Sequence, residues 1–533
     1  MPLCNVTDMP TSVMVFYYEK FTARLSMRKP QMNPSAGGCA STTTWTSWPS
    51  IQWKQVARGV KSLQRRIVKA VKAKHFHKVK ALLHLLSRSF YGKLLAILRV
   101  TTNQGSKTCG VDKVLWDTPE KKWKGIEQLS IKGYKAKPLK RKSIPKKNGK
   151  LRHLGIPTIG DRAVQALFKL GLEPIAETTA DINSYGFRPK RSCADAIEQC
   201  HNALGKRSSS GWIFEADIKG CFDNISHEWI LQHIPLSKKV LGQWLKAGYI
   251  DQKTWFPTLA GTPQGGIISP TIANMVLDGL EKEINQTACP TQYCNGSYYN
   301  PLKVHFVRYA DDFIVTCANR DFLENEIKPR VSKFLAQRGL ELSEEKSKIT
   351  HINDGFDFLG FNVRKYKNKC LTKPKKDSVK SIYSSIRECV TNNKTVTQKR
   401  LIRTITPKIK GWANFFRHAA SKRTFALLDA KLFKLLWKWA CRRHPNKSRH
   451  WIRGQYFQSN GNRHWVFMAT DKAKQIELPR FDATKIIRHN KIKSHSNPYD
   501  KNWDGYFEER ARRQFAKPEN KSKLANANGR TGC

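Results

Sequence analysis

Val304-His305-Phe306-Val307-Arg308-Tyr309-Ala310-Asp311-Asp312-Phe313-Ile314-Val315 is the stretch on which the reading of this chain turns. Two apolar runs, Val304–Val307 and Phe313–Val315, read as buried strands, and they flank two adjacent acids. Carboxylates at the tip of an apolar hairpin are costly unless they are solvated, paired or bound to cations. For an isolated Asp-Asp a surface turn is the favoured explanation. A second acid in the same setting weakens it: Asp217 ends the run Trp212-Ile213-Phe214-Glu215-Ala216. If these strands pair, three carboxylates converge, and hard oxygen ligands of that kind suit Mg²⁺. Two such ions roughly 3.5–4 Å apart serve in-line attack on a phosphate, so the pattern points to phosphoryl chemistry.

The charge balance agrees. Across 533 residues, 96 Lys+Arg stand against 41 Asp+Glu, a formal net charge of +55 that calls for a polyanionic partner. A membrane surface is the poorer candidate, because no apolar run reaches bilayer length and basic residues occur throughout. Thirteen cysteines at irregular spacings argue against a secreted disulfide scaffold and for a reducing compartment. The closest pair, Cys289 and Cys294, lacks a second Cys/His pair nearby, so no zinc site is assigned. Residues 1–40 read as a poorly ordered leader; Arg24 and Arg28 among hydroxyl residues leave organelle targeting open, against Asp8 and Glu19.

Between Trp53 and Arg99, Val60, Leu63, Ile67 and Val71 repeat at helical spacing, with Lys61, Arg65, Arg66, Lys69 and Lys72 on other faces. Such a basic face fits a solvated surface as well as RNA contact. From Lys137 to Asp161 short segments around Asn148-Gly149 predict a basic β-hairpin, with Asp161 as N-cap of the following helix. Helical stretches such as Thr271–Ile284 alternate with the strands and indicate a mixed α/β or α+β core. Beyond Lys365 the pattern is helical, with Val379, Ile382, Ile386 and Val390 in one helix and Leu428, Leu432, Leu435 and Trp439 in another. Roughly the last 25 residues are polar and charged and are expected to fray.

Tyr309-Ala310-Asp311-Asp312 does not stand alone. In order along the chain come Ser184-Tyr185-Gly186-Phe187-Arg188-Pro189, Ala216-Asp217-Ile218 with Phe222-Asp223-Asn224-Ile225, Gly261-Thr262-Pro263-Gln264-Gly265-Gly266 with Ser269-Pro270, and Gly355-Phe356-Asp357-Phe358-Leu359-Gly360-Phe361. In that order the blocks resemble group II intron-encoded reverse transcriptases of bacteria and organelles, from about Trp45 to about Arg510. The resemblance implies an α+β right-hand polymerase with fingers and palm, a mostly helical thumb/maturase domain and a basic helical N-terminal extension. The matching division is a leader over 1–40, an RNA-binding extension over 41–126, fingers and palm over 127–365, thumb/maturase over 366–470, and a DNA-binding remnant with a charged tail over 471–533.

It also implies roles. Asp217 and Asp311 would be the principal metal ligands, with the Ile218 carbonyl as helper and Asp312 as third acid, holding two Mg²⁺ ions. Phe222 would collide with a ribose 2′-hydroxyl, Lys146 and Arg152 would grip the triphosphate, Gln264 and Gly265 would lie against the nascent base pair, and Lys346 would approach the triphosphate. For every basic residue an ordinary solvated charge is the alternative. Lys410-Gly411-Trp412-Ala413-Asn414-Phe415-Phe416-Arg417 and Trp437-Lys438-Trp439 resemble the maturase domain, with Arg442, Arg443, Lys447, Arg449 and Arg453 beyond them among His444, His450 and Trp451. Cations among aromatic faces suit single-stranded RNA, although several of the tryptophans are expected to be core.

The expected partners are intron RNA, a DNA target and dNTPs, in a bacterial cytoplasm or nucleoid or an organelle matrix, with no membrane. Close relatives continue into an HNH endonuclease with paired C-x-x-C motifs; this chain stops at Cys533 without them, so second-strand cleavage by it is not expected. Another departure falls at Cys109 and Lys113, where the family shows Pro and Gly. Two rival functions remain: a splicing cofactor whose polymerase activity has lapsed, and a reverse transcriptase recruited to defence or spacer acquisition.

Overall fold

The apolar spacing in the amino-terminal region does produce helices, but the chain is broken twice where one long segment was expected. In a computed structural model describing residues 45–515, apart from 146–148, 150, 253, 288–291, 295–296, 300 and 472–473, it forms α1 (Trp53–Lys72), α2 (Phe76–Arg88) and α3 (Phe90–Thr102). Lys74, at φ +56°, turns the first corner, and the Ser89 hydroxyl caps α3 by accepting from the Gly92 amide. After α4 (Pro119–Gln128), the three helices pack on α5 (Ile159–Thr179), which is buried on nearly every face. Val60, Ile67, Val79, Leu82, Leu86, Leu170 and Ile175 form one apolar cluster there. Each fully buried aliphatic side chain contributes about 1.5–3 kcal/mol, which is why α1 keeps its apolar stripe inward and its cations out.

The cap of α5 differs from expectation. Thr158, not Asp161, is the N-cap, its hydroxyl accepting from the Asp161 amide, while the Asp161 carboxylate accepts from Thr158 Oγ1 at 2.6 Å and from the Tyr134 hydroxyl at 2.5 Å. Lys113 takes φ +56°, a backbone conformation that glycine adopts without strain.

The basic hairpin forms as expected from β1 (Leu139–Pro145) and β2 (Leu151–Ile156), which pair antiparallel from Lys140↔Ile156 to Pro145↔Leu151. With β4 (Tyr249–Asp251) and β5 (Thr254–Phe256) they make a sheet ordered β2-β1-β4-β5, alongside β3 (Trp212–Ala216) of a second sheet. That second sheet adds β8 (His305–Tyr309), β9 (Asp312–Cys317) and β10 (Lys348–His351) in the antiparallel order β10-β3-β9-β8, with β6 (Gln292–Cys294) and β7 (Ser297–Tyr299) as a separate hairpin. Phe214, Phe306, Phe313 and Val315 turn one face of this sheet into the main core; Ile213, Val307 and Ile314 turn the other toward a second cluster shared with the carboxy-terminal helices.

Those helices span Lys376–Asn392, Gln398–Phe416 and Lys422–Arg443, and they bury Ile386, Val390, Leu428, Leu432 and Trp439 as the periodicity predicts. The remainder of the carboxy-terminal region is not purely helical: after Arg449–Tyr456 come β14 (Phe457–Asn460), β15 (Arg463–Asp471) and β16 (Lys474–Glu477), a three-stranded antiparallel sheet that the apolar pattern did not announce. β11 (Phe356–Phe358), β12 (Phe361–Tyr366) and β13 (Lys369–Pro374) link the two halves.

From Phe481 the chain runs back across the palm. Asp195 at the start of the helix Cys193–Leu204 accepts from His489 and the Ile492 amide, and Asp500 and Asp504 pair with Lys72, Lys61 and Arg65 of α1. Among the described residues no single helix is long and apolar enough to cross a membrane; α2 and α3 together pass that test, but they are bent by 66° and share the α5 core. Cys109, Cys193, Cys200, Cys221, Cys317, Cys370, Cys389 and Cys441 form no disulfide. Cys289 and the leader over 1–40 lie outside the described residues.

Candidate active site

Tyr309 pairs with Asp312, so Ala310 and Asp311 alone make the turn between β8 and β9. Ala310 sits at φ +60°, a conformation that costs an L-residue roughly 1–2 kcal/mol and needs surrounding structure to hold it. Gly186 supplies that support. A Cβ on it would lie 2.3 Å from the Ala310 amide nitrogen, so only glycine lets this segment press against the turn. The adjoining Tyr185 amide donates to the Arg308 carbonyl at 2.9 Å, and the Arg308 amide donates to the Asn183 carbonyl at 2.9 Å.

Beneath the turn lies a buried polar scaffold that the sequence reading missed. Arg308 is completely buried, pairs with Asp278 and reaches the Ala310 carbonyl at 3.4 Å. Asn274 donates to the Gly186 carbonyl at 2.8 Å. Arg188 forks onto Glu177 at 2.8 and 3.0 Å and donates to the carbonyls of Asp181 and Ser184. Burial pushes the Asp278 carboxyl up to about 6 against the opposing pull of Arg308. The available signal was the lone arginine inside the apolar β8 run.

β3 runs antiparallel to β9 with Ala216 opposite Phe313, so Asp217, one residue on, meets Asp312. The three acids do converge. Crowding by protein, then the charges of Asp311 and Asp217 and a hydrogen bond with Asp217, push the Asp312 carboxyl up to about 7, although its side chain still reaches solvent. Burial raises Asp311 also, and Asp217 adds to that, while Arg152 and Lys346 pull it back. Lys346 forms an ion pair with Asp217 Oδ2, and that contact raises its ammonium. Among the described residues none of the three acids is locked to an arginine. Ile218 is fixed by an antiparallel bridge to Leu342, and the Ser343 amide donates to the Asp217 carbonyl at 2.8 Å.

Around the acids, Phe222 is half-buried, with Phe187 edge-on at 6.3 Å, and both line one recess with Cys221, Ala310 and Asp311. Burial, followed by the nearby Asp311, pushes the Cys221 thiol up to about 12, so it is a core group and no nucleophile. Gln264 donates from Nε2 to both carboxylate oxygens of Asp223 at 3.2 Å. The close approach Gly265 permits is to the fingers hairpin: at φ +131° its Cβ would lie 2.6 Å from the Gly155 carbonyl oxygen. Lys146 lies outside the described residues.

The cations expected to bind RNA divide. Lys61 (3.0 Å) and Arg65 pair with Asp504, whereas Arg66 and Lys69 stay exposed. Arg443 donates to the Lys394 and Val396 carbonyls at 2.6 and 3.0 Å, whereas Arg442 and Arg449 are exposed. Lys447 and Arg453 lie over the Trp451 and Trp465 rings.

Among the described residues no group of three or more His, Cys, Asp or Glu is arranged so that it could hold a metal ion as it stands. Burial and mutual repulsion raise both Asp311 and Asp312, and as a set of hard oxygen donors short of positive charge the three carboxylates suit divalent cations. Asp217, Asp311, Asp312 and Arg152, whose charge reaches Asp311, all fall within one reverse transcriptase domain. The family model described as reverse transcriptase (RNA-dependent DNA polymerase) matches residues 144–363, that for the N-terminal domain of reverse transcriptase matches 48–129, and that for the group II intron maturase-specific domain matches 379–457. Together these matches give the chain the domain set of the group II intron-encoded reverse transcriptase/maturase proteins.

Among its relatives is the group II intron-encoded protein LtrA of Lactococcus lactis subsp. cremoris, 32% identical over 330 residues, covering 51% of this chain and 54% of that protein. Protein YkfC of Escherichia coli K12 is 29% identical, covering 57% and 88%. The putative COX1/OXI3 intron 1 protein of Saccharomyces cerevisiae is 29% identical, covering 51% and 38%. The chain thus spans about half the length of the LtrA it matches.

Proposed function

We propose that this chain copies group II intron RNA into DNA and assists splicing of that intron, with two Mg²⁺ ions held by Asp217, Asp311, Asp312 and the Ile218 carbonyl. The observation that carries this is the meeting of Asp217 with Asp311 and Asp312 on β3 and the β8–β9 turn, with Asp312 pushed up to about 7. When bound, the ions would stabilise the charge developing on the attacked phosphate and on the leaving oxygens.

The chain's own residues do the rest. Asp217 exchanges its partner Lys346 for a ligand role, which frees that ammonium for the triphosphate. Arg152, whose charge reaches Asp311, grips the same phosphates from the fingers together with Lys146. Phe222, braced by Phe187, takes the position where a ribose 2′-hydroxyl would collide. Gln264 releases Asp223 to face the new base pair. Residues 127–365 act as fingers and palm and 366–470 as thumb and maturase domain; the exposed cations Arg66, Lys69, Arg442 and Arg449 contact intron RNA, and the segment from 471 onward faces the DNA target.

Primer extension on an RNA template tests the proposal. Mg²⁺-dependent DNA product from wild type that disappears with Asp217→Ala supports it. RNA binding without any DNA product would instead make the chain a splicing cofactor.

A further inference from the structure

The carboxy-terminal region carries a second cluster, built of aromatic rings. Phe433 and Trp437 of the helix Lys422–Arg443 meet Phe457 of β14 and Trp465 of β15, with ring centroids 5.6–6.1 Å apart. Phe457 is core, but Phe433 and Trp465 each leave 40% of their surface exposed. Trp465 also holds φ +58°, a region that bulky side chains seldom enter, so the hairpin tolerates strain at the residue carrying the exposed ring.

Cations surround it. The Arg453 guanidinium lies 4.7 Å from the Trp465 ring centroid and pairs with no carboxylate among the described residues, while Lys434 and Lys438 are exposed next to Phe433 and Trp437. A cluster built only to stiffen the thumb would bury both rings and would not need an unpaired guanidinium beside them. Trp465 lies beyond residues 379–457, where the maturase-specific match ends.

We propose that the exposed ring of Trp465, with Phe433 set edge-on beside it at 74°, forms a stacking platform for an unpaired base of single-stranded RNA, with Arg453 on the adjoining phosphate. Every base offers a π-face to such a platform, so it selects single strands over duplex and not one sequence over another. This inference rests on RNA being the partner and narrows that partner to unpaired segments.

The test uses the full chain and fluorescein-labelled RNA of about 16 nucleotides, the upper end of usual site sizes, as a single strand, as a paired duplex and as an abasic strand, with DNA of the same sequence alongside. Trp465→Asn is the main variant, because asparagine tolerates a positive φ. Phe433→Ser, at an exposed helix position, serves if the first does not fold. Each should weaken single-strand binding at least about fivefold, the low end for one stacked base. Duplex and abasic affinities should stay near wild type. Arg453→Gln should lower the salt slope by about one, which the aromatic variants leave alone.

Unchanged single-strand affinity in folded variants, or equal loss on duplex and abasic strands, overturns the platform. Tighter wild-type binding to DNA than to RNA overturns the assignment to RNA. Wild type that binds none of the probes sinks the RNA-partner reading itself, a different outcome from wild-type binding that ignores residue 465.

Discussion

Two carboxylates of this molecule sit in opposite electrostatic states. Asp312 in the palm is pushed up to about 7, with Asp311 and Asp217 beside it and Lys346 and Arg152 at the rim. Asp195, at the start of the helix Cys193–Leu204, is more deeply buried, yet its partners hold it down at about 2. It accepts from the Ser192 amide at 2.9 Å and hydroxyl at 2.7 Å, from His489 at 2.8 Å, from the Ile492 amide at 2.7 Å and from Arg510 at 3.0 Å. The second acid is finished by the protein itself; the first is left short of positive charge. That contrast separates a carboxylate that holds the fold from one that waits for a ligand.

The sharpest way to break the contrast is to delete one acid of each kind. Asp311→Ala should reduce polymerisation roughly 10³-fold or more, as when a principal charge-stabilising group leaves a preorganised site. RNA affinity should hold or improve, because the substitution removes negative charge from a cleft that faces phosphate. Folding stability in metal-free buffer should not fall either, since like charges were being relieved. Primer extension, RNA titration and thermal melting on one preparation read all three, and a matching collapse of RNA binding would contradict the assignment.

Asp195→Ala should do the reverse. Removing the acceptor strands Arg510 and the Ile492 amide in a buried site, a loss of about 3–5 kcal/mol. It also frees the returning segment that ties the thumb to the palm and to α1. Polymerase turnover per folded molecule should survive at low temperature. If Asp195→Ala instead left the denaturation midpoint unchanged, the buried knot would be dispensable and the contrast empty.

The difference also explains what could be read in advance. The palm acids were legible because the strands that carry them are short, apolar and unbroken, and a period of two residues leaves no slack in where Asp217 and Asp312 meet. Asp195 was not legible: its partners His489, Ile492 and Arg510 lie some 300 residues away, and nothing local marks them. Arg308 lies within the deciding stretch, yet its role stayed hidden, since a single arginine in an apolar strand says nothing of the Asp278 that awaits it. The break of the first helical region at Lys74 and Ser89 escaped too, because apolar periodicity continues through a corner when both helices face one core. The small sheet of β14, β15 and β16 escaped because aromatic residues there read equally well as helix.

Acid pH probes the knot more gently. His418 packs near it, 5.1 Å from the Phe361 ring and 5.9 Å from His489, and burial followed by the His489 charge pulls its imidazole down to about 4. Below its ordinary value of 6.5 the unfolded chain takes up a proton that the folded chain refuses. Stability is therefore lost as pH falls from about 6.5 to about 4, and Asp195 adds its own loss only below about 3.8. His418→Phe should flatten the first window and leave the second, as read by urea midpoints across pH. A first window unchanged in that variant would place the proton elsewhere.

The smallest expected effects distinguish neighbours on one helix. Both Arg442 and Arg443 looked like RNA contacts, but Arg443 is committed to the Lys394 and Val396 carbonyls and lies 4.7 Å over the Trp439 ring. Like Asp195 it is finished within the protein, whereas Arg442 is exposed and, like Asp312, available. Arg442→Gln should lower the salt slope of RNA binding by about one and change stability by less than about 0.5 kcal/mol. Arg443→Gln should leave the slope alone and cost about 1 kcal/mol or more, because two carbonyls lose their donor. If both substitutions flatten the slope, Arg443 must abandon its carbonyls when RNA arrives, and the helix end near Lys394 would then loosen in the complex, which hydrogen exchange at residues 393–396 would register.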